Sequence, residues 1–195
     1  MLTTVLYMVR HAESPFKLGE ERVRGLSREG QIAARKVTAL LKDIDIAAIV
    51  SSPYTRAIQT VQELATYKAL TIKEYETLKE RPIKGLEYRL PEQELLKAIE
   101  QSFNNKAFCL EGGESTQQAQ RRAIPTILQV IKENKGKNIV IGTHGNIMTI
   151  IMNYFAERYG YDFWKSTSKP DIYRLTFDDN NSLTEVERIW SEMEG

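Results

Sequence analysis

A short apolar run near the amino terminus stops abruptly at an arginine and a histidine, and this pattern restricts the chain to few folds. Residues 5–9 read Val-Leu-Tyr-Met-Val and lead directly into Arg10 and His11. A continuous apolar run of this length is typical of a strand that is buried on both faces of a parallel sheet. Ligands of such sheets bind in the crevice beyond the carboxyl ends of the strands. The run therefore predicts a buried strand that delivers Arg10 and His11 to a binding crevice.

The same arrangement recurs twice further along the chain. The sequence contains only two histidines, and the second, His144, also follows an apolar run. Arg56 falls in the first turn of a helix that we expect after another apolar run. One histidine near a strand end is more often a hydrogen-bonded structural residue than a catalytic one. Two histidines in the same kind of position favour a shared functional site.

Apolar runs alternate with segments of helical spacing over most of the chain. Two late segments, residues 172–177 and 183–189, flank the turn sequence Asp-Asp-Asn-Asn and predict an antiparallel strand pair. The alternation predicts an α/β fold, a three-layer sandwich in which helices flank both faces of a mainly parallel central sheet. A length of 195 residues suits a single domain over residues 1–195.

Composition excludes several classes of function. The chain has 27 basic and 26 acidic residues, whereas nucleic-acid-binding domains usually carry a marked basic excess. No apolar run approaches the length that spans a bilayer, and the single cysteine, Cys109, agrees with a reducing compartment. We expect a cytoplasmic protein that binds neither nucleic acid nor a membrane. The oligomeric state stays open.

The residues expected at the strand ends suit a phosphate dianion. The guanidinium groups of Arg10 and Arg56 offer planar forks of donors, and His144 adds one more. In such a pocket His11 can attack phosphorus as a neutral imidazole, while a carboxylic acid protonates the leaving oxygen. The scheme needs no cofactor, and two histidines without an aspartate cluster make a poor metal site. We therefore expect a small phosphorylated substrate, no cofactor and no metal.

Four spaced motifs resemble those of the histidine phosphatase superfamily, also called the phosphoglycerate mutase-like family. They are Arg10-His11-x-Glu13-Ser14, Ser51-Ser52-Pro53-x-x-Arg56-Ala57-x-x-Thr60, Gly113-Glu114-Ser115 and Thr143-His144-Gly145. The resemblance implies a phosphohistidine intermediate on His11 and a phosphate pocket made by Arg10, Arg56 and His144. It also implies a carboxylic acid after the third strand, for which we select Glu80, with Glu76 and Glu87 as lesser candidates.

The sequence departs from the family pattern at two places near the nucleophile. Ala12 stands where the family usually has glycine, and Lys17 stands where many members carry a phosphate-binding asparagine. We include Lys17 among the phosphate-binding candidates. We also hypothesise that Lys17, Arg22 and Arg24 form a positive rim that favours substrates with more than one anionic group, against the alternative of a solvated loop.

Three functions are compatible with these residues. A metal-independent phosphomonoester hydrolase is favoured over a phosphoglycerate mutase, because the chain is shorter than the mutases it resembles, which carry longer insertions over the site. The third alternative is a catalytically silent protein that binds phosphorylated ligands. The physiological substrate is left open.

Overall fold

The computed structural model describes residues 2–191 and contains one six-stranded sheet with helices on both faces. The strands are β1 (Thr4–Arg10), β2 (Ile46–Ser51), β3 (Ile72–Glu74), β4 (Asn138–Thr143), β5 (Asp171–Phe177) and β6 (Leu183–Arg188). The helices are α1 (Arg28–Leu41), α2 (Thr55–Lys68), α3 (Glu92–Asn104), α4 (Thr116–Glu133), α5 (Gly145–Phe155) and α6 (Tyr161–Ser166), with a 3-10 turn at Glu76–Leu78.

The strand order across the sheet is β3-β2-β4-β1-β5-β6. Strands β3, β2, β4 and β1 run parallel, β5 is antiparallel to β1, and β6 is antiparallel to β5. This arrangement confirms the predicted α/β class with a late antiparallel pair. The first apolar run of the chain lies at the centre, between β4 and β5.

The apolar run of β1 is continuous because both of its faces are covered. Leu6 and Met8 belong to a core that includes residues of α3, α4 and α5. Tyr7 and Val9 point to the other face, where residues of α1 and α2 pack. Alternate residues of a strand point to opposite faces of the sheet. Both sets of side chains are therefore apolar, and the charged residue of this strand, Arg10, lies at its carboxyl end.

Helix α1 begins at a close contact with the loop that follows β1. The Ser27 side chain accepts a hydrogen bond from the backbone N–H of Gly30 at 2.9 Å, which caps the helix as its sequence predicts. A Cβ atom on Gly30 would lie 2.2 Å from the carbonyl oxygen of Glu13. Glycine at this position lets helix α1 lie close to the loop that follows β1.

Helix α4 runs as one element on both sides of Pro125. Proline inside a helix usually causes a kink or a break, but this helix does not end at the proline. Its amino terminus carries a capping box formed by Ser115 and Gln118. None of the helices between residues 2 and 191 combines the length and the apolar character needed to cross a bilayer.

Candidate active site

The two histidines meet because β1 and β4 are parallel neighbours in register. Arg10 pairs with Thr143 across the ladder, so His11 and His144 leave the sheet side by side. The backbone N–H of His11 still donates to the carbonyl oxygen of Thr143 at 2.9 Å. The ring centroids of the two histidines are 5.2 Å apart in an edge-on arrangement. The structure brings together the pair that the sequence predicted.

The hydrogen bonds of His11 define which ring nitrogen carries the lone pair. Nδ1 lies 2.7 Å from the carbonyl oxygen of Ala12, which can only accept. Nε2 lies 3.2 Å from Nε of Arg56, which can only donate. The network thus assigns the proton to Nδ1 and leaves Nε2 unprotonated. An imidazole in this state is a nucleophile.

Burial and neighbouring cations keep His11 neutral. Burial lowers the pKa of His11 well below 6.5, and Arg56 lowers it further, while the bond to Ala12 acts in the opposite direction. Arg10 and Lys169 add smaller depressions of the same pKa. Desolvation and nearby positive charge both disfavour the imidazolium form. His11 therefore carries an unprotonated ring nitrogen at neutral pH.

His144 is fully buried beside the nucleophile. Its Nε2 lies 2.7 Å from Oγ of Ser52, and that oxygen accepts a hydrogen bond from the backbone N–H of Tyr54 at 3.2 Å. The other ring nitrogen, Nδ1, is buried and has no hydrogen-bond partner within residues 2–191. Burial, followed by His11, lowers the pKa of His144 well below 6.5. His144 is a neutral ring with one unused nitrogen.

The guanidinium of Arg10 lies flat against the start of α5. Its Nη1 donates to the backbone oxygen of Thr167 at 3.2 Å and also to the Thr167 hydroxyl. A Cβ atom on Gly145 would lie 2.8 Å from Cζ of Arg10. Among the described residues, Nε of Arg10 is buried without a partner. The glycine of the His144-Gly145 motif therefore makes room for the guanidinium of Arg10.

Arg56 is held by a carboxylate that sequence reasoning missed. Its Nη2 donates to Oε1 of Glu21 at 2.5 Å, and its Nη1 donates to the Glu21 backbone oxygen at 2.5 Å. Arg24 binds the same carboxylate, with its Nε donating to Oε2 of Glu21 at 3.2 Å. Charge-assisted pairs of this kind are strong and directional. Glu21 orients Arg56 so that its Nε points at His11.

Of the three candidate acids, Glu80 lies nearest to the histidines. Its carboxylate accepts from the backbone N–H of Asn146 at 3.1 Å and of Ile147 at 2.8 Å, in the first turn of α5 directly after His144. Glu76 is instead exposed and paired with Arg22. The remaining candidate, at position 87, lines an outer groove.

A buried arginine follows Glu80 and joins it to the rest of the fold. Arg81 is 2% exposed, and its Nη2 donates to Oγ of Ser102 at 3.0 Å and to Oδ1 of Asn146 at 2.9 Å. Burial lowers the pKa of Arg81 to about 10, which leaves it charged at neutral pH. Arg81 anchors the segment that carries the candidate acid.

The cations proposed for the rim are each paired with a carboxylate. Lys17 is exposed and lies 3.5 Å from Glu20, and Arg22 makes two contacts with Glu76 at 3.0 and 2.8 Å. Arg24 is bound by Glu21, as described above. A role for Lys17 in phosphate binding stays a prediction, and so does the rim hypothesis. The local pairing reduces the positive charge available to a second anionic group.

Comparisons with known proteins extend the match well beyond the motifs. A family model of the histidine phosphatase superfamily (branch 1) matches residues 6–188. A search of curated proteins finds no match.

Solved structures match the chain over nearly its whole length. A mycobacterial glucosyl-3-phosphoglycerate phosphatase superposes with a TM-score of 0.75 and 18% identity, covering 95% of this chain and 97% of that one. Bacillus stearothermophilus YhfR superposes with a TM-score of 0.74 and 21% identity, covering 93% of this chain and 94% of that one. A phosphoserine phosphatase from Entamoeba histolytica superposes with a TM-score of 0.73 and 22% identity, covering 94% of this chain and 96% of that one. At these identities the likeness establishes a shared fold.

Proposed function

The chain belongs to the histidine phosphatase superfamily, and from that premise we propose that it is a phosphomonoester hydrolase. The observation that carries the proposal is the state of His11. Its Nε2 keeps a lone pair, accepts from Arg56 at 3.2 Å, and lies in a buried site surrounded by cations. A neutral nucleophile among fixed positive charges is the arrangement that phosphoryl transfer requires.

Binding of the substrate dianion would use two nitrogens that have no partner among the described residues and a third that here donates to His11. Arg10 offers its buried Nε, and Arg56 turns its Nε from His11 to the phosphoryl group. Because Ser52 Oγ already accepts from a backbone N–H, its own hydrogen can point at Nε2 of His144. Nδ1 of His144 then carries a hydrogen and donates to a phosphoryl oxygen. Three donors thus surround the group that is transferred.

The reaction proceeds in two displacements. In the first, Nε2 of His11 attacks phosphorus, the phosphorus–oxygen bond to the leaving group breaks, and Glu80 as a carboxylic acid gives its proton to the departing oxygen. In the second, the Glu80 carboxylate takes a proton from water, and the water oxygen attacks phosphorus. The phosphorus–nitrogen bond then breaks. Phosphate leaves, and His11 returns as a neutral ring.

Phosphate release from phosphomonoesters in the presence of EDTA tests the proposal. We expect turnover by the parent protein to survive chelation and to be lost in His11→Ala. Loss of turnover on chelation would contradict a metal-independent mechanism. Phosphoryl exchange between phosphoglycerates without phosphate release would favour the mutase alternative over hydrolysis.

The role of Glu80 has its own test, with Glu76→Gln as the matched control. We expect Glu80→Gln to lower kcat/KM for alkyl phosphates by about 100-fold or more, since their leaving groups need a proton. The loss should be much smaller for p-nitrophenyl phosphate, whose leaving group departs as an anion. An equal loss on both substrates would assign Glu80 to structure. A loss in Glu76→Gln alone would assign the acid to Glu76.

A further inference from the structure

A groove of about 900 Å³ opens beside the phosphate pocket. One wall is the loop after β1, with Phe16 and Leu18, and the other is the segment between the 3-10 turn and α3, with Ile83 and Leu86. Volumes of this size are typical of sites that enclose small organic ligands. Neither of the two proposed reaction steps uses these residues.

The groove adjoins the candidate catalytic site at Tyr54. This buried ring lies 5.2 Å from the ring of His144 and 5.1 Å from Cζ of Arg56, measured to its centroid. Tyr54 also lines the groove, together with Glu21, which binds Arg56. One side of Tyr54 therefore faces the groove, while its ring lies within about 5 Å of His144 and Arg56.

The groove exposes apolar side chains to solvent. Phe16 is 64% exposed, Leu18 50% and Leu86 52%. Single exposed apolar residues are ordinary on protein surfaces. Three of them line one groove beside the candidate nucleophile, and clusters of exposed apolar residues often mark binding sites.

Several charged residues of the groove are already bound within the protein. Arg22 is bound twice by Glu76, and Arg24 is bound by Glu21. The ammonium group of Lys84 donates to backbone carbonyl oxygens of its own segment. At Arg22 or Arg24 a second anionic group would have to compete with a bound carboxylate, whereas an apolar group would cover exposed carbon without breaking these pairs.

We propose that the groove holds the leaving group of the substrate and selects phosphomonoesters of apolar alcohols, aliphatic or aromatic. This inference rests on the proposed function, because the groove is assigned to the part of the ester that departs. The walls shield the apolar chain from water, and Tyr54 directs its oxygen toward the phosphate pocket.

A homologous series of n-alkyl phosphates from ethyl to hexyl tests the assignment. The leaving alcohols have nearly the same acidity, so the series varies apolar area while the chemistry is constant. We expect kcat/KM to rise about two- to fourfold for each added methylene, the effect of burying that group in an apolar site. Phe16→Ala and Leu86→Ala should flatten this dependence. Tyr67→Ala and Leu40→Ala remove exposed apolar side chains from α2 and α1, and the dependence should persist in both.

A kcat/KM that does not change with chain length, or that is higher for 3-phosphoglycerate than for hexyl phosphate, would overturn the inference while leaving hydrolysis intact. Binding of n-alkylphosphonates to His11→Ala, measured by calorimetry, separates the two proposals. If no ester is hydrolysed but affinity rises with chain length, the proposed function fails and the groove assignment stands. If affinity is independent of chain length, the groove assignment fails.

Discussion

Replacing Gly145 by alanine should disable the site without harming the fold. The added Cβ would lie 2.8 Å from both Cζ and Nη2 of Arg10 and 2.9 Å from Nε. Carbon atoms in good contact are about 3.5–4.0 Å apart, so the guanidinium must move by about 1 Å. Displacements of this size can cost about 100-fold in rate. Loss of one preorganised donor costs about 3 kcal/mol.

We therefore expect Gly145→Ala to lower kcat/KM for phosphate release by about 100- to 1000-fold. The melting temperature should be unchanged or slightly raised, because alanine has a higher helix propensity than glycine. In addition, the atoms that the Cβ would meet belong to the end of the flexible Arg10 side chain. Gly160→Ala is the matched control, since its Cβ would meet nothing closer than 4.0 Å. Activity of Gly145→Ala within threefold of the parent would refute the view that the position of Arg10 carries phosphate binding.

Three further outcomes follow from the same contacts. Because the pKa of His11 lies well below 6.5, kcat/KM expressed per dianionic substrate should not fall as pH falls from 7.5 to about 6, where an ordinary histidine would be mostly protonated; a fall of this corrected kcat/KM centred near 6.5 would contradict a neutral His11. The pKa of His144 is depressed as well, so below about pH 6.5 the unfolded chain binds up to two more protons than the folded protein. The free energy of unfolding, measured by urea titration, should therefore decrease by up to about 2.7 kcal/mol for each pH unit that the pH is lowered. Gly30→Ala places a Cβ 2.2 Å from the Glu13 carbonyl oxygen. This change should lower the free energy of unfolding by about 2 kcal/mol and the Tm, measured by calorimetry, by about 6 °C. An unchanged Tm would show that the loop moves aside without cost.

Much of the fold could be predicted because its main determinants are local. The apolar run of β1 is buried on both faces, so its period and its abrupt end in Arg10 and His11 are visible in the sequence. The turn between β5 and β6 is marked by its own residues. The family resemblance read from motifs before residue 150 is confirmed by a match over residues 6–188. That β5 pairs with β1 was not predicted, because strand order depends on packing between distant segments.

The residues of the candidate site also fall into those that the sequence predicted and those that only tertiary packing brings into place. His11 and His144 stand at strand ends, and parallel neighbours bring strand ends together, so their proximity followed from the fold class. Glu21 lies in a loop whose polar composition matches any solvated turn, and only the tertiary structure brings it 2.5 Å from Arg56. Lys169 contributes to the electrostatics of His11 from the loop before β5, where no motif marks it.

Direct detection of the phosphoenzyme tests the central claim. Glu80→Gln lacks the base for the second displacement, so p-nitrophenyl phosphate with EDTA should drive it into a phosphorylated state that alkaline quenching preserves. Peptide mass spectrometry and phosphorus NMR would then identify the modified atom. The account predicts phosphate on Nε2 of His11 and none in His11→Ala. Phosphate on Nδ1, on His144, or on no histidine while p-nitrophenol is released in a burst would contradict it.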